Sequence, residues 1–433
     1  MNAAQPIKAL TLTPGQQKGF DGFCNFLLSK HEHVFVLEGY AGTGKSTLTD
    51  TMIEHIPNLE KSVKLVDPSF SGWDLQLTAT TNKACEALAA LTGRNVKTIH
   101  SFLGLRVHKD YKTGESKLVV RDWNAIKTNQ LIFIDEASQI DASLLKTIFA
   151  LTRDCKIVFM GDPAQLTQVR SSGTPVFTSG FPTAKLTEVV RQAKGNPIID
   201  LATAFRNTVK TGEFFSFKPD GVAIQAVDPQ EWGDLIKAEF LDPKWHHNQS
   251  KVLAWTNKAV IAYNQAIRDF VRGTPDFQVG DYAVVNSYIP LGISMSSKPA
   301  RRKGSYPLKT DELVRITKIG GWEEDYGVQG RMIELNEEWQ VFLPISLAAR
   351  EARIKQAKAE KDFGVMMNID QNWVDLRAAY SCTIAKSQGS TYDTVFIDLN
   401  DVKRCNQPNQ IARMLYVAVS RARKKVIFGG DLV

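Results

Sequence analysis

Short unbroken apolar runs, each followed by a stretch of helical spacing, set the rhythm of the chain. Val34-Phe35-Val36-Leu37, Leu131-Ile132-Phe133-Ile134 and Ile157-Val158-Phe159-Met160 are runs of the kind that form strands buried on both faces. The stretch Leu75–Ala84 reads as a further strand delivering threonine and asparagine at its C-terminal end, with helices from about Lys45 and over Lys83–Leu91. Ahead of the first run, Thr13 fits an N-cap and Pro14 the first turn, while Phe20, Phe23, Phe26 and Leu27 make an apolar stripe that reads as core. The alternation returns in the second half. Strands are expected at Val222–Val227, Lys251–Trp255, Leu376–Thr383, Thr394–Asp398 and Lys425–Phe428, and helices at Pro197–Arg206, Lys258–Val271 and Gln407–Arg421. Strand and helix in turn predict an α/β fold.

Two stretches break the rhythm. Residues 106–121 place β-prone flanks around Tyr111-Lys112-Thr113-Gly114, a hairpin signal that predicts an insertion projecting from the sheet. From about Phe277 to Trp373, short strands are separated by glycine, proline and charge, which favours a small β-barrel-like insertion. Its basic loop Lys298–Lys303 reads equally as a solvated face or a strand-contacting patch. Leu347–Lys361, rich in alanine and charge, reads as an exposed helix.

Composition narrows the class. With 433 residues, 43% hydrophobic and 23% charged, the chain is long enough for two to four domains and is neither fibrous nor disordered. A net charge of +7 permits a polyanionic partner without demanding one. Five dispersed cysteines without a C-x-x-C indicate neither a disulfide framework nor a zinc site. No charged start with an apolar core follows the N-terminus and no 18-residue apolar run occurs, so the expectation is a cytoplasmic chain that spans no membrane.

Chemistry concentrates where strands end. Gly39-Tyr40-Ala41-Gly42-Thr43-Gly44-Lys45-Ser46 lies between a strand and a helix. Glycines there let backbone N–H groups turn around phosphate oxygens, the helix start adds partial positive charge, Lys45 reaches the outer phosphates, and the Ser46 hydroxyl suits Mg²⁺. Asp135-Glu136 ends a buried strand, where one carboxylate can hold Mg²⁺ and the next polarise water. Gln165 follows another strand, where a neutral amide can sense a γ-phosphate without competing for metal. Gln16, upstream of the loop, can read an adenine edge or simply sit in a helix. Thr81 and Asn82 suit sugar-phosphate contacts or capping equally well.

The order of these motifs carries further meaning. Gly39–Ser46, Thr80–Ala84, Thr98–Ser101, Asp135-Glu136-Ala137-Ser138, Gly161–Gln165, Leu186–Gln192, Thr256-Asn257-Lys258, Thr383–Gly389 and Leu415–Arg423 together resemble the superfamily 1 DNA helicases, in the RecD-like branch that includes small phage helicases. The resemblance spans Gln16 to Arg423. Thr80 departs from it, standing where many relatives have proline before the conserved threonine.

The resemblance implies two RecA-like P-loop NTPase domains, residues 1–190 and 191–433, with a β-hairpin pin at 104–122 and an SH3-like β-rich insertion at 275–373. It implies that ATP binds through Gln16, Gly39, Ala41, Gly42, Thr43, Gly44, Lys45, Ser46, Thr47 and Gly389, with Mg²⁺ on Ser46 and Asp135. Lys45, Asp135, Glu136, Gln165, Arg191 and Arg421 are the implied catalytic set, Arg421 acting as an arginine finger across a domain cleft. Thr81, Asn82, His100, Asn257, Thr383 and Lys386 are the implied DNA contacts, and Tyr111 the wedge at a fork. The implied partners are single-stranded DNA and DNA forks, with a single-strand-binding protein or replisome component, in phage replication or recombination. A monomer moving 5′ to 3′ in a host cytoplasm completes the expectation. The competing readings are a translocase that does not separate duplex and a binding module with a relic loop. No room is expected for a fused nuclease.

Overall fold

The computed structural model describes residues 12–109, 116–122, 125–167, 174–188, 195–274, 276–290, 301–302 and 307–431. They fall into two compact units, one of residues 1–105 and 120–196 and one of residues 106–119 and 197–433.

The first unit is built on a six-stranded sheet in the order Thr183–Leu186, Val34–Gly39, Lys156–Gly161, Gln130–Asp135, Asp74–Ala79, Val96–Thr98. All five pairings are parallel. The unbroken apolar runs take the central positions, since only a strand covered on both faces can be apolar throughout. Val34–Gly39 and Lys156–Gly161 are buried at every residue. Phe23, Phe26, Phe35, Leu48, Met52 and Phe133 fill one side of the sheet, and Val36, Ile134, Leu144, Ile148 and Phe159 the other. The first helix, Pro14–Leu28, opens with a capping box: the Thr13 hydroxyl accepts from Gln16 N, and the Gln16 side chain accepts from Thr13 N. Its phenylalanine stripe is core, as its spacing predicts.

The second unit carries a five-stranded sheet in the order Ile224–Val227, Ala422–Gly429, Tyr392–Asp398, Ser250–Ala254, Ser381–Thr383. Its pairings are also all parallel. A separate six-stranded antiparallel sheet orders Arg301–Arg302, Trp339–Pro344, Val328–Leu335, Leu313–Asp325, Tyr282–Val285 and Leu376–Ala378 around Val285, Ile316, Ile333, Trp339 and Val341. Leu376–Thr383, expected as one α/β strand, divides between the two sheets. Leu376–Ala378 pairs antiparallel with Ala283–Val285, whereas Ser381–Thr383 pairs parallel with Val252–Ala254. Alternating burial cannot announce this change of partner, because both sheets bury Leu376, Ala378, Ser381 and Thr383 alike. Leu105–Lys109 and Ser116–Val120 form a two-stranded sheet of their own where the hairpin signal lies. The tip 110–115, with Tyr111, falls outside the described residues, as do Arg191 and most of the Lys298–Lys303 loop.

Candidate active site

The glycine loop follows the central strand Val34–Gly39 and opens the helix Lys45–Val66. Gly42 and Gly44 adopt φ of 81° and 73°, backbone that favours glycine. At Gly39 the reason is space: a Cβ would stand 3.0 Å from Thr43 Oγ1 and 3.2 Å from Lys45 Cβ. The loop is closed on itself by Thr43, whose N (3.2 Å) and Oγ1 (2.9 Å) both donate to Tyr40 O. Gly44 caps the helix without a side-chain hydrogen bond, so the positive end of the dipole is left to be met by an external anion. Ala41 and Thr47 flank this turn half-buried, and Ser46 is exposed on its first residues.

Gln16 is 4% exposed and its amide is committed to this loop. Nε2 donates to Thr43 O at 3.5 Å and Gly44 O at 3.3 Å, while Oε1 accepts from Thr13 N. In this structure it braces the phosphate loop, and a base edge would have to displace these bonds.

Asp135 and Glu136 end the neighbouring strand-but-one, and the Asp135 carboxylate faces the loop: Lys45 Nζ lies 3.9 Å from Asp135 Oδ1. Glu136 has φ 54°, a left-handed conformation costing a non-glycine residue about 1–2 kcal/mol. Its backbone is fixed from both sides, for Asp135 Oδ1 accepts from Glu136 N at 2.8 Å and Thr80 Oγ1 donates to Glu136 O at 3.2 Å. Strain held from both sides in this way is of the kind that collects at active sites. Here threonine at 80 supplies a hydroxyl that proline could not. Gln165, 5% exposed, follows a turn in which the buried Asp162 Oδ1 accepts from Ala164 N at 2.9 Å. Gly161 before it is packed so closely that a Cβ would meet Phe177 Cζ at 2.9 Å and Ala137 N at 3.0 Å.

Other predicted residues cap helices at carboxyl ends of strands, the side of an open α/β sheet where ligands collect. The Thr81 hydroxyl caps the helix Asn82–Thr92, and Thr98 caps the short helix carrying His100. Burial holds the His100 pKa below the ordinary value, with Asp141 opposing, so the imidazole is neutral at pH 7. In the second unit Asn257 begins a helix capped by Thr256. Thr383, nearly buried, accepts from Lys386 N at 3.2 Å. Lys386 donates to Asn286 Oδ1 at 2.7 Å and pairs with Asp311 Oδ1 at 2.8 Å, so its ammonium is held within its own unit. Gly389 is exposed with φ 78°. Arg421 is 6% exposed and its guanidinium donates to Val417 O, Ser390 O and Ser420 Oγ at 3.1, 3.3 and 2.8 Å.

Sequence reasoning missed Asp401. This buried carboxylate accepts from Trp255 N (2.8 Å) and Thr256 N (2.7 Å) through Oδ2, and from Thr256 Oγ1 (2.9 Å) through Oδ1. An aspartate near a strand end gives no signal of partners about 145 residues away.

The chain is similar to known proteins. The AAA domain profile matches residues 11–227 and the UvrD-like helicase C-terminal domain residues 378–428. The chain is 26% identical to the ATP-dependent DNA helicase dda of Enterobacteria phage T4, over 96% of this chain and 99% of that one. It is also 26% identical to the ATP-dependent RecD2 DNA helicase of Deinococcus radiodurans, over 92% of this chain and 47% of that one. A solved structure of two coordinating Pif1 helicases on forked dsDNA superposes with a TM-score of 0.50 at 18% identity, covering 98% of this chain and 93% of that one. That likeness establishes the two-domain α/β fold.

Proposed function

The chain belongs to the AAA domain family, and on that premise we propose that it is an ATP-dependent DNA helicase of the RecD-like branch of superfamily 1, related to the Dda, RecD2 and Pif1 enzymes. One observation carries the reading: the phosphate loop, the Lys45–Asp135 approach and the strained, doubly held Glu136 stand together in one unit. A relic loop would have no reason to keep the left-handed glutamate fixed.

ATP binds with its phosphates in the loop Gly39–Ser46, against the N–H groups at the helix start, with Lys45 neutralising the outer phosphates. The donors nearby suit Mg²⁺, since the exposed Ser46 hydroxyl and the Asp135 carboxylate are hard oxygen ligands. When bound, Mg²⁺ supplies charge neutralisation at the β- and γ-phosphates. Glu136 orients the attacking water, and its fixed backbone means little reorganisation at that moment. Gln165 and Arg191 respond to the γ-phosphate, and the second unit contributes Arg421 during turnover, once its guanidinium leaves Val417 O and Ser390 O.

Single-stranded DNA is tracked by Thr81, Asn82 and His100 of the first unit and by Asn257, Thr383 and Lys386 of the second. Hydroxyls, amides, the His100 imidazole and the Lys386 ammonium contact backbone without reading bases, which suits sequence-independent movement. Tracking is 5′ to 3′. The hairpin at 104–122 acts as the wedge at the fork, and the antiparallel insertion, an SH3-like element, braces it. Unwinding of duplexes bearing a 5′ or a 3′ tail, with and without ATP, tests the whole reading. ATP-dependent separation of the 5′-tailed duplex alone is expected. Equal action on both tails overturns the polarity, and ATP turnover on single strands without separation favours the translocase.

A further inference from the structure

Away from the nucleotide loop, the first unit holds a polar cavity of about 240 Å³ against the edge strand Val96–Thr98. Arg94, Asn95 and Lys97 line it together with Gln76 and the ring of Phe102. Lys127 Nζ lies 5.5 Å from the centroid of that ring, which brings a third cation to the same corner. No acidic side chain lines the cavity. The nearest along these strands, Asp74, is committed: its Oδ2 accepts from Gln76 Nε2 and Gln130 Nε2, each at 2.9 Å. Arg94 and Lys97 are exposed, and among the described residues neither has an ion-pair partner. A guanidinium fork, an ammonium and an amide around one small cavity match a phosphodiester, and an aromatic wall suits its sugar.

His100 and Phe102 share one short helix, Ile99–Phe102. Two residues apart on a helix, their side chains point about 200° apart. A strand touching His100 therefore meets a different face of this helix from the one that lines the cavity.

We propose that this cavity binds a backbone phosphate of the second DNA strand at a fork, while the tracked strand passes His100. The proposal rests on the helicase reading above. Phosphate held here would anchor the complementary strand beside the unit that hydrolyses ATP, and would do so without regard to sequence.

The test is the double charge reversal R94E/K97E in the full chain, two exposed positions outside the nucleotide machinery. Affinity for a 5′-tailed forked duplex is expected to fall roughly tenfold or more, and the slope of log K against log salt to become shallower by about one per lost phosphate contact. Affinity for a single-stranded oligonucleotide, and the ATPase rate it stimulates, should stay at the wild-type level. An unchanged fork affinity and salt slope overturns the proposal. So does a parallel loss on single-stranded DNA, which would give the cavity to the tracked strand. If the wild-type ATPase ignores single-stranded DNA altogether, the helicase reading itself has failed, and that control separates the two failures.

Discussion

In the first unit the strand Val34–Gly39 runs into a glycine loop and a helix that no side chain caps. In the second, Ser250–Ala254 runs into Trp255-Thr256 and a helix capped by the Thr256 hydroxyl. Both are strand–turn–helix units at the carboxyl edge of a parallel sheet, and both create backbone N–H groups that seek a negative charge. The first unit takes that charge from outside. The second carries it internally, as the Asp401 carboxylate bonded to Trp255 N and Thr256 N. The Asp401 carboxylate and the Thr256 hydroxyl close that turn from within the unit, so one architecture used twice gives one loop open to an external anion and one turn satisfied by its own side chains. The glycines follow the same logic: positive φ at Gly42 and Gly44 opens the first turn, and the second turn needs none.

The comparison can be broken in three places. The largest effect is expected at Lys45, because nothing else on the first loop replaces its charge. Lys45→Ala should abolish ATP turnover measured as phosphate release while leaving single-strand binding near wild type, and full turnover would remove the nucleotide from this loop. Next comes Arg421, the arginine finger we propose. Arg421→Ala should slow hydrolysis at least ~10³-fold, with Arg421→Lys recovering little, since a lysine lacks the planar fork. A loss under tenfold would return Arg421 to the local role its bonds to Val417 O and Ser390 O describe. The smallest effect belongs to Asp401→Asn. It turns an amide donor or a neutral oxygen toward two N–H groups, and should destabilise the second unit by about 2–3 kcal/mol, read as a lowered midpoint in thermal unfolding. Nucleotide affinity should not change. If it did, the division between site and scaffold would be wrong.

Much of this was legible in the chain. Runs such as Phe133-Ile134 before Asp135-Glu136 announce a buried strand because burial on both faces leaves no polar position, and Thr13 as the N-cap before Pro14 can be read from two residues, although the reciprocal bond from Gln16 emerges only in the folded chain. Gln16 marks where reading stopped. Its spacing from the loop is compatible with a base contact, and in the folded chain its amide donates to Thr43 O and Gly44 O, contacts that no local pattern encodes. Lys386 is a second such case, an exposed-looking lysine turned inward by Asn286 and Asp311, which lie 100 and 75 positions earlier.

By itself, then, the sequence determined which strands are buried, where the phosphate loop lies and which acids end a strand, because each depends on local periodicity, on glycine's freedom or on residues within one turn. The tertiary structure decided which carboxylate fills the second unit's turn, which sheet receives Leu376–Ala378, and how Thr80 holds Glu136 in a left-handed turn. These are pairings between distant segments, set by which polar groups are left unsatisfied once the sheets have packed, and chain order does not record that.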